Sequence, residues 1–183
     1  MIAIISMLRG VNVGGHNMVR MDALRALYVS LGLKDPQTYI QSGNVVFKAK
    51  GRNVAALSKK IGDGIERKFG FRPGVVVRSA ADLRTVIARN PFAGRRDVEP
   101  GKLLVLFLAD DPDQEARDKV RAMKTNPEEL RIDGREVYIH FPAGQGKSKL
   151  PMALIERSLK TPGTGRNWNT VRKLLEMAEG LEG

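Results

Sequence analysis

TYIQSGNVVF, residues 38–47, is the stretch whose reading decides the fold. Thr38-Tyr39-Ile40 and Val45-Val46-Phe47 are short β-branched and aromatic runs around the turn residues Gln41-Ser42-Gly43-Asn44, so the stretch predicts a hairpin. Upstream, Pro36 is expected to open a turn. Before it, Met21, Leu24, Leu27 and Leu31 share one helical face that stops at Gly32. Downstream, Val54, Leu57, Ile61, Ile65 and Phe69 mark a second helix, closed by Gly70. The apolar run of residues 2–8 and Val75-Val76-Val77 supply a strand at either end. The order strand, helix, strand, strand, helix, strand is the ferredoxin-like βαββαβ pattern, an antiparallel sheet with both helices on one face.

The rest of the chain repeats the pattern without repeating the sequence. Ser79 to Asp82 reads as a capping-box variant before a short helix that ends at Asn90-Pro91. A polar connector over residues 92–101 places the division there, giving an N-terminal subdomain 1–91 and a second α+β subdomain 92–183. Residues 103–108 form an apolar strand, and Asp110-Asp111-Pro112-Asp113 caps a helix through Ala116, Val120 and Met123. Leu130-Arg131-Ile132 and residues 137–141 are strands joined by Asp133-Gly134, the strongest short-range hairpin signal in the chain. Leu150, Leu154, Ile155 and Leu159 give a further helix. The second subdomain is therefore expected as βαββα, with the C-terminal helix of Trp168 standing where a last strand would complete the unit.

The chain has 183 residues, no cysteine and a net charge of +11. That length suits one domain or two small ones, and the absence of cysteine excludes disulfides and thiolate metal sites and fits a reducing cytoplasm. No run is long enough for a membrane span, so no membrane role is expected. The basic balance points to polyanionic partners. It is concentrated late in the sequence: Lys147, Lys149, Arg157, Lys160, Arg166, Arg172 and Lys173 are opposed only by Glu156.

Three segments offer anion donors. In residues 163–175, GTGRNWNTVRKLL, Asn167 occupies an N-cap position before Trp168, Val171, Leu174 and Leu175. Arg166 and the first free N–H groups of a helix would then face one place, where a phosphate or carboxylate is favoured. Trp168 itself is expected in the core. The turn Gly144-Gln-Gly-Lys147-Ser148-Lys149 fails as a phosphate-binding P-loop, because Phe141 stands where its first glycine is required. It still offers a nest of donors near a helix. The loop of residues 9–16 adds Arg9 and Asn12, with Gly14 and Gly15 exposing backbone. It lacks the GxGxxG spacing of a dinucleotide site.

Catalytic signals are thin. His16 and His140 have no metal-ligand spacing, the Asp110 to Asp113 cluster is explained by capping, and no GxSxG elbow is present. No metal and no cofactor are expected, and whether any reaction is catalysed is left open. The RNP1 pattern of RNA-binding sheets is absent, and Phe47 is expected in the core rather than against a base.

In combination, LRGVNVGG (residues 8–15), TYIQSGNVVF (38–47), GKSKL (146–150) and RNWNTVRKL (166–174) resemble the bacterial family catalogued as domain of unknown function 1697. The likeness runs along essentially the whole chain. It implies a two-part α+β fold and brings no established reaction, cofactor or partner. Where the family commonly has a second threonine, this chain has Gly165.

The reading reached from sequence is a cytoplasmic α+β protein binding a phosphate-bearing ligand through Arg9, Asn12, Gly14, Gly15, Lys147, Ser148, Lys149, Arg166 and Asn167. A single-stranded nucleic acid fits the charge slightly better than a free nucleotide. The alternatives are an enzyme acting on a small phosphorylated or carboxylated substrate, and an interaction protein whose polar motifs are all structural.

Overall fold

A computed structural model describes residues 1–183. The chain forms two compact units, one of Met1–Thr85 with Lys173–Gly183 and the other of Val86–Arg172. Each is built on a four-stranded antiparallel sheet. No helix is long and apolar enough to cross a membrane.

The first unit runs β1 (Ile2–Leu8), α1 (Met21–Ser30), β2 (Lys34–Tyr39), β3 (Asn44–Ala49), α2 (Val54–Phe69) and β4 (Val75–Ser79), in sheet order β2-β3-β1-β4. Alternation along β1 turns Ile4 and Leu8 toward α1 and α2, where they pack with Leu24, Phe47, Ile61 and Ile65. Ser6 shares that face, and its hydroxyl meets the Tyr28 hydroxyl at 2.7 Å inside the core. The predicted hairpin is present, with Tyr39 opposite Asn44. Gly43 closes it at φ +82, where a Cβ would come within 2.8 Å of the Leu8 Cβ, so the site demands glycine on two counts.

Pro36 does not open a turn. It lies inside β2, an edge strand, where the register shifts between Lys34 and Gln37. An edge strand with an irregular ladder tolerates a residue that has no N–H to donate.

Helix caps here are made by residues next to the helix start. Asn53 accepts from Ala56 N at the start of α2, at 3.0 Å. The Ser79 hydroxyl accepts from Asp82 N while the Asp82 carboxylate accepts from Ser79 N, a reciprocal capping box opening α3 (Ala80–Ala88).

The second unit runs β5 (Leu103–Leu108), α4 (Gln114–Arg121), β6 (Glu129–Asp133), β7 (Glu136–His140), α5 (Met152–Leu159) and β8 (Gly163–Asn167), in sheet order β6-β7-β5-β8. Asp113 caps α4 by accepting from Ala116 N at 2.8 Å. Asp133 and Glu136 pair across the Asp-Gly turn. Leu104, Leu106 and Leu108 face Val120, Ile155 and Leu159 of the two helices.

The expected βαββα order and the C-terminal helix are both present, and the structure adds a last strand between them. Residues 163–167 are a strand antiparallel to β5, completing βαββαβ, and α6 (Trp168–Glu182) follows directly. Apart from Thr164, nothing in Gly-Thr-Gly-Arg-Asn has strand composition. The glycines are there because a Cβ on Gly163 would approach Phe107 O to 2.8 Å, and one on Gly165 the Leu104 side chain to 3.1 Å.

Candidate functional site

The loop of residues 9–20 is held by its own asparagines. Asn12, at φ 55, donates both amide hydrogens, to Val19 O (3.1 Å) and Gln41 O (2.7 Å), and its Oδ1 accepts from Val19 N. Asn17, at φ 51, donates to Gly10 O at 3.1 Å. Asparagine tolerates this left-handed backbone better than other side-chain-bearing residues. Asn12 therefore ties the loop to the β2–β3 turn and has no amide hydrogen left for a ligand. Arg9, Gly14 and Gly15 are exposed in the same loop of the first unit.

In the second unit, Arg166 is a buried strand residue rather than an exposed donor. It sits on β8, 7% exposed, and its guanidinium donates to the Thr164 hydroxyl (2.7 Å) and to Gly165 O (2.9 Å). Burial pulls its pKa down to about 10. Asn167 is the N-cap of α6 as expected: its Oδ1 accepts from Asn169 N at 3.0 Å, and its amide donates to Gly101 O at 2.9 Å. Trp168 is buried.

The Lys147 turn is at the other edge of that sheet. Ser148 donates to the Glu128 carboxylate at 2.6 Å, directly before β6, whereas β8 is the opposite edge strand. Within this unit, then, the Lys147–Lys149 segment and the Arg166–Asn167 segment are not brought together.

What the fold does bring together is a concave pocket of about 260 Å³, lined by Lys124, Asn126, Glu128, Lys147, Lys149 and Leu150 among others. The 3-10 turn Gln145–Lys147 and the following residues form one wall, and the connector between α4 and β6 forms the other. All three lysines are exposed. None has a carboxylate within salt-bridge distance, although Glu128 lines the same pocket. Glu128 is half-buried and held by Ser148, whose Oγ in turn accepts from Leu150 N at 3.0 Å. The pocket thus combines a surplus of positive charge with one oriented carboxylate. Lys147, Ser148 and Lys149 were legible in the sequence. Lys124, Asn126 and Glu128 were not, since Lys-Thr-Asn-Pro-Glu reads as an ordinary connector and joins the turn only through the folded chain.

A second polar cluster in this unit has an architectural role. Arg95 binds Glu129 (2.7 Å) and Asp97 (2.6 Å), and its guanidinium lies 5.5 Å from the centre of the Phe92 ring. Arg95 holds the Glu129 and Asp97 carboxyls below the usual carboxylate range. Phe92 packs against His140 at 6.0 Å between ring centres. His140 is buried, and neither ring nitrogen has a protein hydrogen-bond partner.

No curated protein matches the chain. A solved structure of a conserved bacterial protein from Streptococcus pneumoniae is similar, with 25% sequence identity and a TM-score of 0.77 over 98% of this chain and 99% of that chain. That likeness extends across both units and carries no activity with it. The sequence profile of a family described as protein of unknown function (DUF1697) matches residues 1–138, which include Lys124, Asn126 and Glu128 and end before the Lys147 turn. The chain, matched over most of its length, belongs to the DUF1697 family of proteins of unknown function.

Proposed function

We propose that the protein binds a phosphate-bearing ligand, and that Lys124, Lys147 and Lys149 supply the charge that holds it. One observation carries the reading: three lysines without ion-pair partners surround one concave pocket. Clustered like charges without counter-ions raise the local concentration of anions. The net charge of +11 favours the backbone of a single-stranded nucleic acid as that anion. Contact through phosphate rather than through bases suits the exposure pattern, because Trp168 and Phe47 are buried and Tyr39 is half-buried.

The pocket's concavity favours a second reading, a small phosphorylated or carboxylated compound. A volume of about 260 Å³ lies just under the roughly 300–1,000 Å³ of drug-sized sites, which is room for a phosphate and a sugar but little more. Neither reading assigns a reaction.

The test is fluorescence anisotropy with a labelled single-stranded RNA at low salt, comparing the natural chain with Lys124→Ala/Lys147→Ala/Lys149→Ala. Loss of binding with an unchanged melting temperature is expected, since exposed lysines contribute little to stability. Undiminished binding by the triple variant would place the ligand elsewhere. Native mass spectrometry of the freshly purified chain separates the two readings, since a nucleic acid and a small compound differ in mass.

A further inference from the structure

Resting on the phosphate reading of the same pocket, we infer that its ligand is a ribose phosphate, with Glu128 accepting hydrogen bonds from the sugar's neighbouring hydroxyls. A pocket for a bare anion has no use for a carboxylate, which repels it. Glu128 nevertheless stands in the wall beside Lys124, Lys147 and Lys149, and it is not neutralised by any of them. It is positioned instead by the neutral Ser148 hydroxyl at 2.6 Å, and Ser148 is fixed by Leu150 N.

That arrangement has a chemical consequence. Ser148 occupies one lone pair of Oε1, and the remaining acceptor sites of the carboxylate have no protein donor. A ligand that satisfies both halves of the pocket must present an anion to the lysines and hydrogen-bond donors to Glu128 a few ångströms away. A phosphate on a sugar with vicinal hydroxyls does this. The apolar wall at Leu150 and Pro151 offers a surface for the sugar ring. In an RNA chain the full pair of neighbouring hydroxyls is present only at the 3′-terminal nucleotide, whereas internal nucleotides offer Glu128 the 2′-hydroxyl alone, the group that DNA lacks.

Isothermal titration with ribose 5-phosphate, 2-deoxyribose 5-phosphate and inorganic phosphate tests this on the full chain. A hydrogen bond to a charged group is worth about 1.5 kcal/mol at the low end, so ribose 5-phosphate should bind roughly tenfold more tightly than the deoxy sugar. Glu128→Gln should bring that ratio close to one while leaving inorganic phosphate bound at least as well as before. Equal affinity for the two sugars, with phosphate binding that still depends on Lys147 and Lys149, overturns the hydroxyl assignment and leaves the anion site standing. If no probe binds, or if Lys147→Ala/Lys149→Ala changes nothing, the pocket is not the anion site and both readings fall. A tenfold ratio that persists in Glu128→Gln also overturns the role given to Glu128. Circular dichroism on each variant checks that the fold is retained.

Discussion

Removing Lys147 and Lys149 together should change the salt dependence of nucleic-acid binding by a predictable amount. Each lysine that touches a backbone phosphate releases condensed counter-ions, and for single strands the slope of log K against log salt is about −0.7 per contact. If Lys124, Lys147 and Lys149 each meet one phosphate, the pocket contributes a slope of about −2.1. Between 50 and 200 mM salt, that slope alone weakens binding roughly 18-fold. With only Lys124 left the contribution drops to about −0.7, and the same change of salt costs about 2.6-fold. Cations elsewhere add to both slopes equally, so the difference of about 1.4 is the quantity to measure. Anisotropy titrations of one labelled single-stranded RNA at four or more salt concentrations, for the natural chain and for Lys147→Ala/Lys149→Ala, supply it. Parallel lines would mean that neither Lys147 nor Lys149 approaches phosphate, which refutes the three-lysine contact.

The buried Ser6–Tyr28 pair should show unequal single-mutant costs. Ser6→Ala orphans a fully buried phenol at a cost of about 1–3 kcal/mol, whereas Tyr28→Phe leaves Ser6 its 3.5 Å contact with Val45 O and should cost nearer 1 kcal/mol. The double variant should fall short of the sum in urea denaturation, and strict additivity would refute the coupling. Gly163→Ala should destabilise the second unit because its Cβ would meet Phe107 O at 2.8 Å; a melting temperature equal to that of the natural chain would remove the close approach of β8 to β5. Asp63, hydrogen-bonded by Lys59 and Arg72, has its pKa lowered from 3.8 to about 2. A folded pKa below the unfolded one means the contribution is complete above about pH 4 and is lost as pH falls toward 2. Carboxyl NMR titration of Asp63 should show the depression, and a midpoint near 4 would remove it.

Signals that act within a few residues were readable in the sequence. The caps at Ser79 and Asp113 and the hairpin turns at Gly43 and Gly134 depend on local dihedrals and on side-chain reach to the next turn, so residue type alone points to them. Helical periodicity likewise placed the core face of α2, and continuous apolar runs marked β1 and β5 as buried strands. What the sequence could not decide depends on distant partners. Gly163 and Gly165 look like loop residues until β5 lies against them, and Pro36 looks like a turn until β2 proves to be an edge. Arg166 looks like a surface donor until the fold buries it, and Asn12 looks free until Gln41, 29 positions away, accepts its amide hydrogen. The pocket follows the same rule. Lys147 and Lys149 stand out in a basic run, but Lys124 and Glu128 join them only because Ser148 reaches back 20 residues to the start of β6. Side-chain chemistry is written residue by residue, whereas burial and juxtaposition are set by strand pairing between segments whose sequences carry no mark of one another.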